Sequence, residues 1–100
     1  MFVVVATHND EFQTVLRRIL KANGHVVFLV TNWSELREAM RSEPGLYIMD
    51  NFGPQDMGLN EARKLHASHH QVLWVDGHTS APAGIPRLHD WKQLENLPAA

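Results

Sequence analysis

Gly45-Leu46-Tyr47-Ile48-Met49-Asp50-Asn51-Phe52-Gly53-Pro54-Gln55-Asp56-Met57-Gly58-Leu59 decides how the chain is read. Leu46 to Met49 is a continuous apolar run, the pattern of a strand covered on both faces. It stops at a carboxylate, Asp50. Pro54 and Gly58 then punctuate a loop, and a helical pattern begins at Leu59. An acid at the C-terminal end of a buried parallel strand stands where open α/β sheets place their functional sites.

The sequence on either side supports such a sheet. Phe2 to Ala6 reads as a first strand, and Thr7-His8-Asn9-Asp10 supplies turn and helix-capping residues. Phe12, Val15, Leu16, Ile19 and Leu20 form one apolar stripe at helical spacing, with Arg17, Arg18 and Lys21 off it near the helix's negative end. Asn23-Gly24 closes that helix. Val26 to Val30 is a second strand. Asn32 and Glu35 form a capping box for a short helix carrying Leu36, Ala39 and Met40 inward. After the central acid, Leu59 to about Ser68 is a third helix, and Val72 to Val75 a fourth strand. Asp76 to Gly84 has turn formers and no helical period. Ile85 to Leu88 reads as a brief fifth strand, and Asp90 with Gln93 opens a last helix bearing Trp91, Leu94 and Leu97. Strands alternating with helices predict a doubly wound parallel α/β sheet, helices on both faces.

One hundred residues suffice for one domain, 1–100. A net charge of −2 gives no electrostatic reason to expect nucleic acid or an anionic membrane as partner. With no cysteine, disulfide, thiolate and zinc–cysteine chemistry are closed. No apolar run approaches the roughly 18 residues of a membrane span, and no basic leader precedes a long apolar stretch. A cytoplasmic domain is therefore expected. The closing Leu-Pro-Ala-Ala reads as the start of a linker, so the domain is expected to be the N-terminal part of a longer protein.

The Asp50 segment, with proline and glycine at these offsets, resembles the phospho-acceptor segment of two-component receiver domains. Val-Leu-Arg-Arg-Ile-Leu-Lys-Ala-Asn-Gly-His in the first helix and Gly-Leu-Asn-Glu-Ala-Arg-Lys-Leu from Gly58 are also similar to that family. The resemblance implies a five-stranded flavodoxin-like sheet of order 2-1-3-4-5, a histidine kinase that phosphorylates the aspartate, assisting magnesium, and a switched face that engages an output domain. Several positions depart from the family. Its two magnesium-holding acids fall on Thr7 and His8, and magnesium prefers hard oxygen ligands to imidazole. Its switch hydroxyl falls on Asp76, whose charge would repel an aspartyl phosphate; Thr79 and Ser80 lie beyond. Its phosphate-pairing lysine falls on Arg87, which keeps the charge on a planar fork. Arg87 follows Asp76 by only eleven positions, which leaves no residues for the family's fourth helix.

Without that helix, alternate residues of Val72, Leu73, Trp74 and Val75 would lie bare, and a bare apolar patch calls for a partner. The expectation is thus an atypical receiver-like domain, a pseudo-receiver, working as a protein-interaction and homodimerisation module rather than an enzyme. Its phosphorylation is degraded and it carries no cofactor. The first rival is a working phospho-receiver with a magnesium site rebuilt from Asp10, Asp50 and Asp76. The second, a small flavodoxin-like enzyme or nucleotide binder, lacks a glycine-rich phosphate loop after the first strand. His8 beside Asp50 and Asp76 suits a softer divalent ion, but more plainly a hydrogen bond to Asp50, a pair that would respond to pH. His66, His69 and His70 read as a solvated helix end, despite the ligand spacing of His66 and His70.

Overall fold

Residues 1–75 and 80–96 are described in a computed structural model of the chain. Four strands, β1 (Phe2–Ala6), β2 (Val26–Val30), β3 (Leu46–Met49) and β4 (Val72–Trp74), form a parallel sheet of order β2-β1-β3-β4. Helices α1 (Asp10–Ala22), α2 (Trp33–Met40) and α3 (Met57–Ala67) connect them. The sheet is that of a truncated flavodoxin-like receiver fold. The position expected for a fifth strand over Ile85–Leu88 is reduced to a single parallel bridge between Trp74 and Arg87. The expected last helix is a 3-10 helix, Trp91–Asn96.

Local chemistry explains the boundaries. The Asn9 side chain accepts the Phe12 amide at 3.1 Å and starts α1. At α2, Asn32 Oδ1 accepts the Glu35 amide at 2.9 Å, and Glu35 Oε1 accepts the Thr31 amide and hydroxyl at 2.9 and 2.8 Å. These bonds hold the Glu35 carboxyl below its ordinary pKa, the Thr31 amide contributing most. Helix α3 begins at Met57, two residues before its apolar pattern, with Asp56 as a left-handed N-cap that makes no side-chain capping bond.

Strand alternation sorts the core into two layers. On one face Val4, Ala6, Tyr47, Met49, Val72 and Trp74 pack with Leu36 and Ala39 of α2, Ala62 and Leu65 of α3, and Ile85. On the other, Val3, Val5, Leu46, Ile48 and Val75 pack with Leu16 and Leu20 of α1 and with Leu88 and Leu94. Phe12 meets Trp91 edge-on at 5.8 Å and joins α1 to the 3-10 helix.

The bare patch expected at β4 is absent. Val72, Trp74 and Val75 are buried and Leu73 is half-buried. The reason is the short connection itself. A turn closed by the Ile85 amide on the Pro82 carbonyl at 3.0 Å sets Ile85 against Val72 and Trp74, on the face a fourth helix would cover. The Trp74 amide then donates to Pro86 and the Leu88 amide to Trp74, each at 2.9 Å. An extended segment does the covering with far fewer residues than a helix needs.

Candidate functional site

The acid sits at the C-terminal edge of the sheet, one residue beyond β3, and is 4% exposed. Its amide donates to the Ala6 carbonyl at 3.1 Å, tying it to the end of β1, where Thr7 and His8 emerge. Thr7 is fully buried, and its hydroxyl donates to Asp50 Oδ2. The same hydroxyl accepts the Asn9 amide at 3.1 Å, so the acid is linked to the residue that caps α1. The Thr7 carbonyl accepts from Gln13 Nε2 at 2.7 Å. His8 lies outside this buried pair: its Nδ1 is 3.5 Å from Asp50 Oδ1, and its side chain is 66% exposed against 5% for the acid.

Beyond Asp50 the chain turns through a loop fixed largely by backbone geometry. Gln55 and Asp56 both adopt left-handed conformations, at φ 56° and 57°, which costs roughly 1–2 kcal/mol each for residues with a Cβ. Asn51 offsets part of this. Its Nδ2 donates to Asp56 Oδ1 at 2.9 Å, and its Oδ1 accepts the Leu59 amide at 3.1 Å, supplying α3 with the cap that Asp56 does not. Gly58 lets the helix start against the acid's own backbone: a Cβ there would stand 2.2 Å from the Asp50 carbonyl oxygen. The Gly58 amide donates to Phe52 at 2.9 Å, and Phe52 is fully buried.

Of the residues singled out in the sequence, Thr7, His8 and Asp50 are thus brought together. Arg87 is placed by its bridge to Trp74, one strand further out; its side chain is exposed and makes no ion pair among the described residues. Ser80 is exposed. Asp76, Gly77, His78, Thr79 and Leu97 lie outside the described residues. Asp10 opens α1 and is exposed. Gly58 gains a role beyond the turn chemistry read from the sequence, and Asn51 one that the sequence reading did not assign. An asparagine directly after a strand-ending acid is the signal that would have pointed to Asn51.

Among the described residues, no three of His, Asp and Glu gather as metal ligands. Among the described residues, Thr7 brings a hydroxyl and His8 an imidazole to Asp50, whereas magnesium prefers carboxylate and water oxygens in a tight octahedron. His66 and His70 share a groove of about 300 Å³ with Leu46, Gln71 and Pro86. His70 packs edge-on against Tyr47 at 5.6 Å, and the His66 ring lies over Gly84. Both residues are exposed, as expected for a solvated helix end.

The order of the sheet, the acid beyond β3 and the helices on both faces define the fold of receiver domains. Among solved structures, the chain is similar to a response regulator receiver protein from Burkholderia phymatum, with a TM-score of 0.63 and 24% identity, over 83% of this chain and 68% of that one. At that identity the likeness is one of fold. No family model matches the sequence, and no curated protein matches it.

Proposed function

We propose that this chain is a receiver-type signalling module that acts through protein contacts and not as an enzyme. Asp50 keeps the position of a phospho-acceptor without its magnesium-assisted chemistry. One observation carries this reading: the Thr7 hydroxyl donates to Asp50 Oδ2 from a position where the family places a metal-holding acid. Phosphoryl transfer to a carboxylate needs a free attacking oxygen and cations that neutralise the charge developing on the phosphoryl group. A hydroxyl and a largely exposed imidazole supply neither a metal cage nor a fixed positive charge. The partner is a protein or an output domain of a longer parent chain. A homodimer through Val72–Val75 is not part of the reading, because that face is covered. No helix among the described residues is long and apolar enough to cross a membrane, and a cytoplasmic setting goes with the proposal.

The test is incubation with a small phosphodonor and magnesium beside a working receiver domain, followed by intact mass. The expected mass is unchanged. A phosphoryl adduct that disappears in Asp50→Asn would overturn the proposal in favour of a phosphorylated receiver.

A further inference from the structure

Among the described residues, the open edge of the sheet is β2, with the sequence Val26-Val27-Phe28-Leu29-Val30. In a parallel pair, each residue turns its N–H and C=O to the same neighbour, and alternate residues turn to opposite sides. The Val26 amide donates to the Met1 carbonyl at 3.0 Å, so Val26, Phe28 and Val30 serve β1. Val27 and Leu29 turn their N–H and C=O groups to the free side. Proteins normally guard such an edge with charge, proline or a bulge. None of the five residues of β2 is charged, proline or glycine.

Each face of this edge borders a groove. On the α1 side, a groove of about 430 Å³ lies over Leu29 and is walled by Gln13, Thr14, Arg17, Arg18 and Lys21. Its three cations make no ion pair among the described residues. On the α2 side the surface is apolar towards the strand's start: Phe2 and Val26 are 41% and 51% exposed, and Phe2 stacks on Phe28 at 5.6 Å. Beside it on the α2 side lies a groove of about 270 Å³ lined by Phe28, Val30 and Ala39 and by Glu35 and Glu38; Glu38 pairs with Arg41 at 3.4 Å, and Glu35 is taken up by its cap.

We propose that β2 takes up an extended segment of a partner protein as an added strand. Its alternate side chains are acidic towards Arg17, Arg18 and Lys21 and apolar towards Phe2, Val26 and Phe28. Backbone bonds to Val27 and Leu29 supply the pairing, while the cationic groove on one face and the apolar patch of Phe2, Val26 and Phe28 on the other read the alternation. A second copy of the chain is disfavoured as occupant. Antiparallel pairing of β2 with its copy about a two-fold axis keeps like faces together, so the cations of α1 would meet the same cations of the other copy. The inference gives the interaction module proposed above its surface and rests on that reading. The experiment below reads the edge while the phosphodonor assay reads the acid, so either can fail alone.

The probe is a capped peptide of alternating Glu and Val, as long as β2, titrated into the labelled protein and followed by amide shifts and hydrogen exchange. Saturable binding with new protection at Val27 and Leu29 is expected. Affinity should fall as salt rises. Arg17→Glu with Arg18→Glu, both exposed and outside the core, should weaken binding at least about tenfold and favour the corresponding Lys-Val peptide. Three results would each overturn the proposal: equal binding of both peptides to the unaltered protein, shifts confined to other elements, or no binding. Concentration-dependent protection of Val27 and Leu29 without peptide would also overturn it, assigning the edge to a second copy.

Discussion

Replacing Gly58 with alanine sets two effects of opposite sign against each other. Gly58 lies in the first turn of α3, and its φ is not among the positive values. On propensity alone, Gly58→Ala should stabilise the helix by up to about 1 kcal/mol. The structure predicts the reverse. The added Cβ would lie 2.2 Å from the Asp50 carbonyl oxygen, 2.5 Å from the Phe52 nitrogen and 2.9 Å from the Asn51 Cα. All three atoms are backbone, so no side chain can rotate away, and the start of α3 must move off the end of β3 by about an ångström. Overpacking against side chains costs about 1–3 kcal/mol; against three backbone atoms of the Asp50–Phe52 segment the upper end applies. The net loss is therefore about 2 kcal/mol or more, a large part of a small domain's stability. Urea unfolding of Gly58→Ala measures it. Gly24→Ala is the control: it has φ of 83° but no atom within 4 Å of the added Cβ, so it should lose only about 1 kcal/mol from the left-handed conformation. If Gly58→Ala is as stable as the parent, the packing of α3 against the Asp50 backbone is misdescribed.

The cover over β4 is tested by Ile85→Ala, which should lower stability by about 2–3 kcal/mol and release the Trp74 and Leu88 amides to exchange; a change within about 0.5 kcal/mol would mean that Ile85 is not the cover. His25 is 5% exposed, and its Nδ1 accepts from the Met1 ammonium at 3.1 Å. Burial first, and then the ammonium charge, push its pKa below the ordinary 6.5. The unfolded chain thus binds a proton that the folded chain refuses. His25 costs no stability above the unfolded value, and stability falls as pH drops from about 6.5 towards the lower folded value. Urea midpoints taken from neutral pH down to about 5 should fall less steeply in His25→Asn than in the parent, and equal slopes would remove the argument.

The strands were legible because apolar β-branched runs bounded by turn residues leave few other readings. Asp50, Thr7 and His8 were legible by position, since the ends of neighbouring parallel strands fall side by side. The cover of β4 was not. Ala81, Ile85 and Leu88 fall at helical spacing, but Pro82, Gly84 and Pro86 forbid a helix there, and a segment that covers a sheet by a turn and a single bridge leaves no strand pattern in its place. The expected fifth strand failed for a related reason: Trp74 bonds to Pro86 and Leu88, and the pairing goes no further than the bridge at Arg87. The roles of Gly58 and Asn51 depend on how closely α3 approaches β3, a distance that spacing along the chain does not encode.

The pair at positions 7 and 8 links stability to chemistry. Asp50 is buried, and a buried carboxylate is tolerated only with partners that favour its charge. Acids at both neighbouring positions would put like charges beside it, each costing on the order of 4 kcal/mol at about 4 Å in a partly screened site, until a cation relieved them. Threonine and histidine remove that repulsion. The Thr7 hydroxyl supplies a charge-assisted bond in place of a metal, and it is itself satisfied by the Asn9 amide. On the proposed function, the same two residues also leave out the ligands that would gather positive charge around a phosphoryl group. On the proposed reading, stability without metal and loss of the acceptor's chemistry would share one origin in Thr7 and His8 at the end of β1.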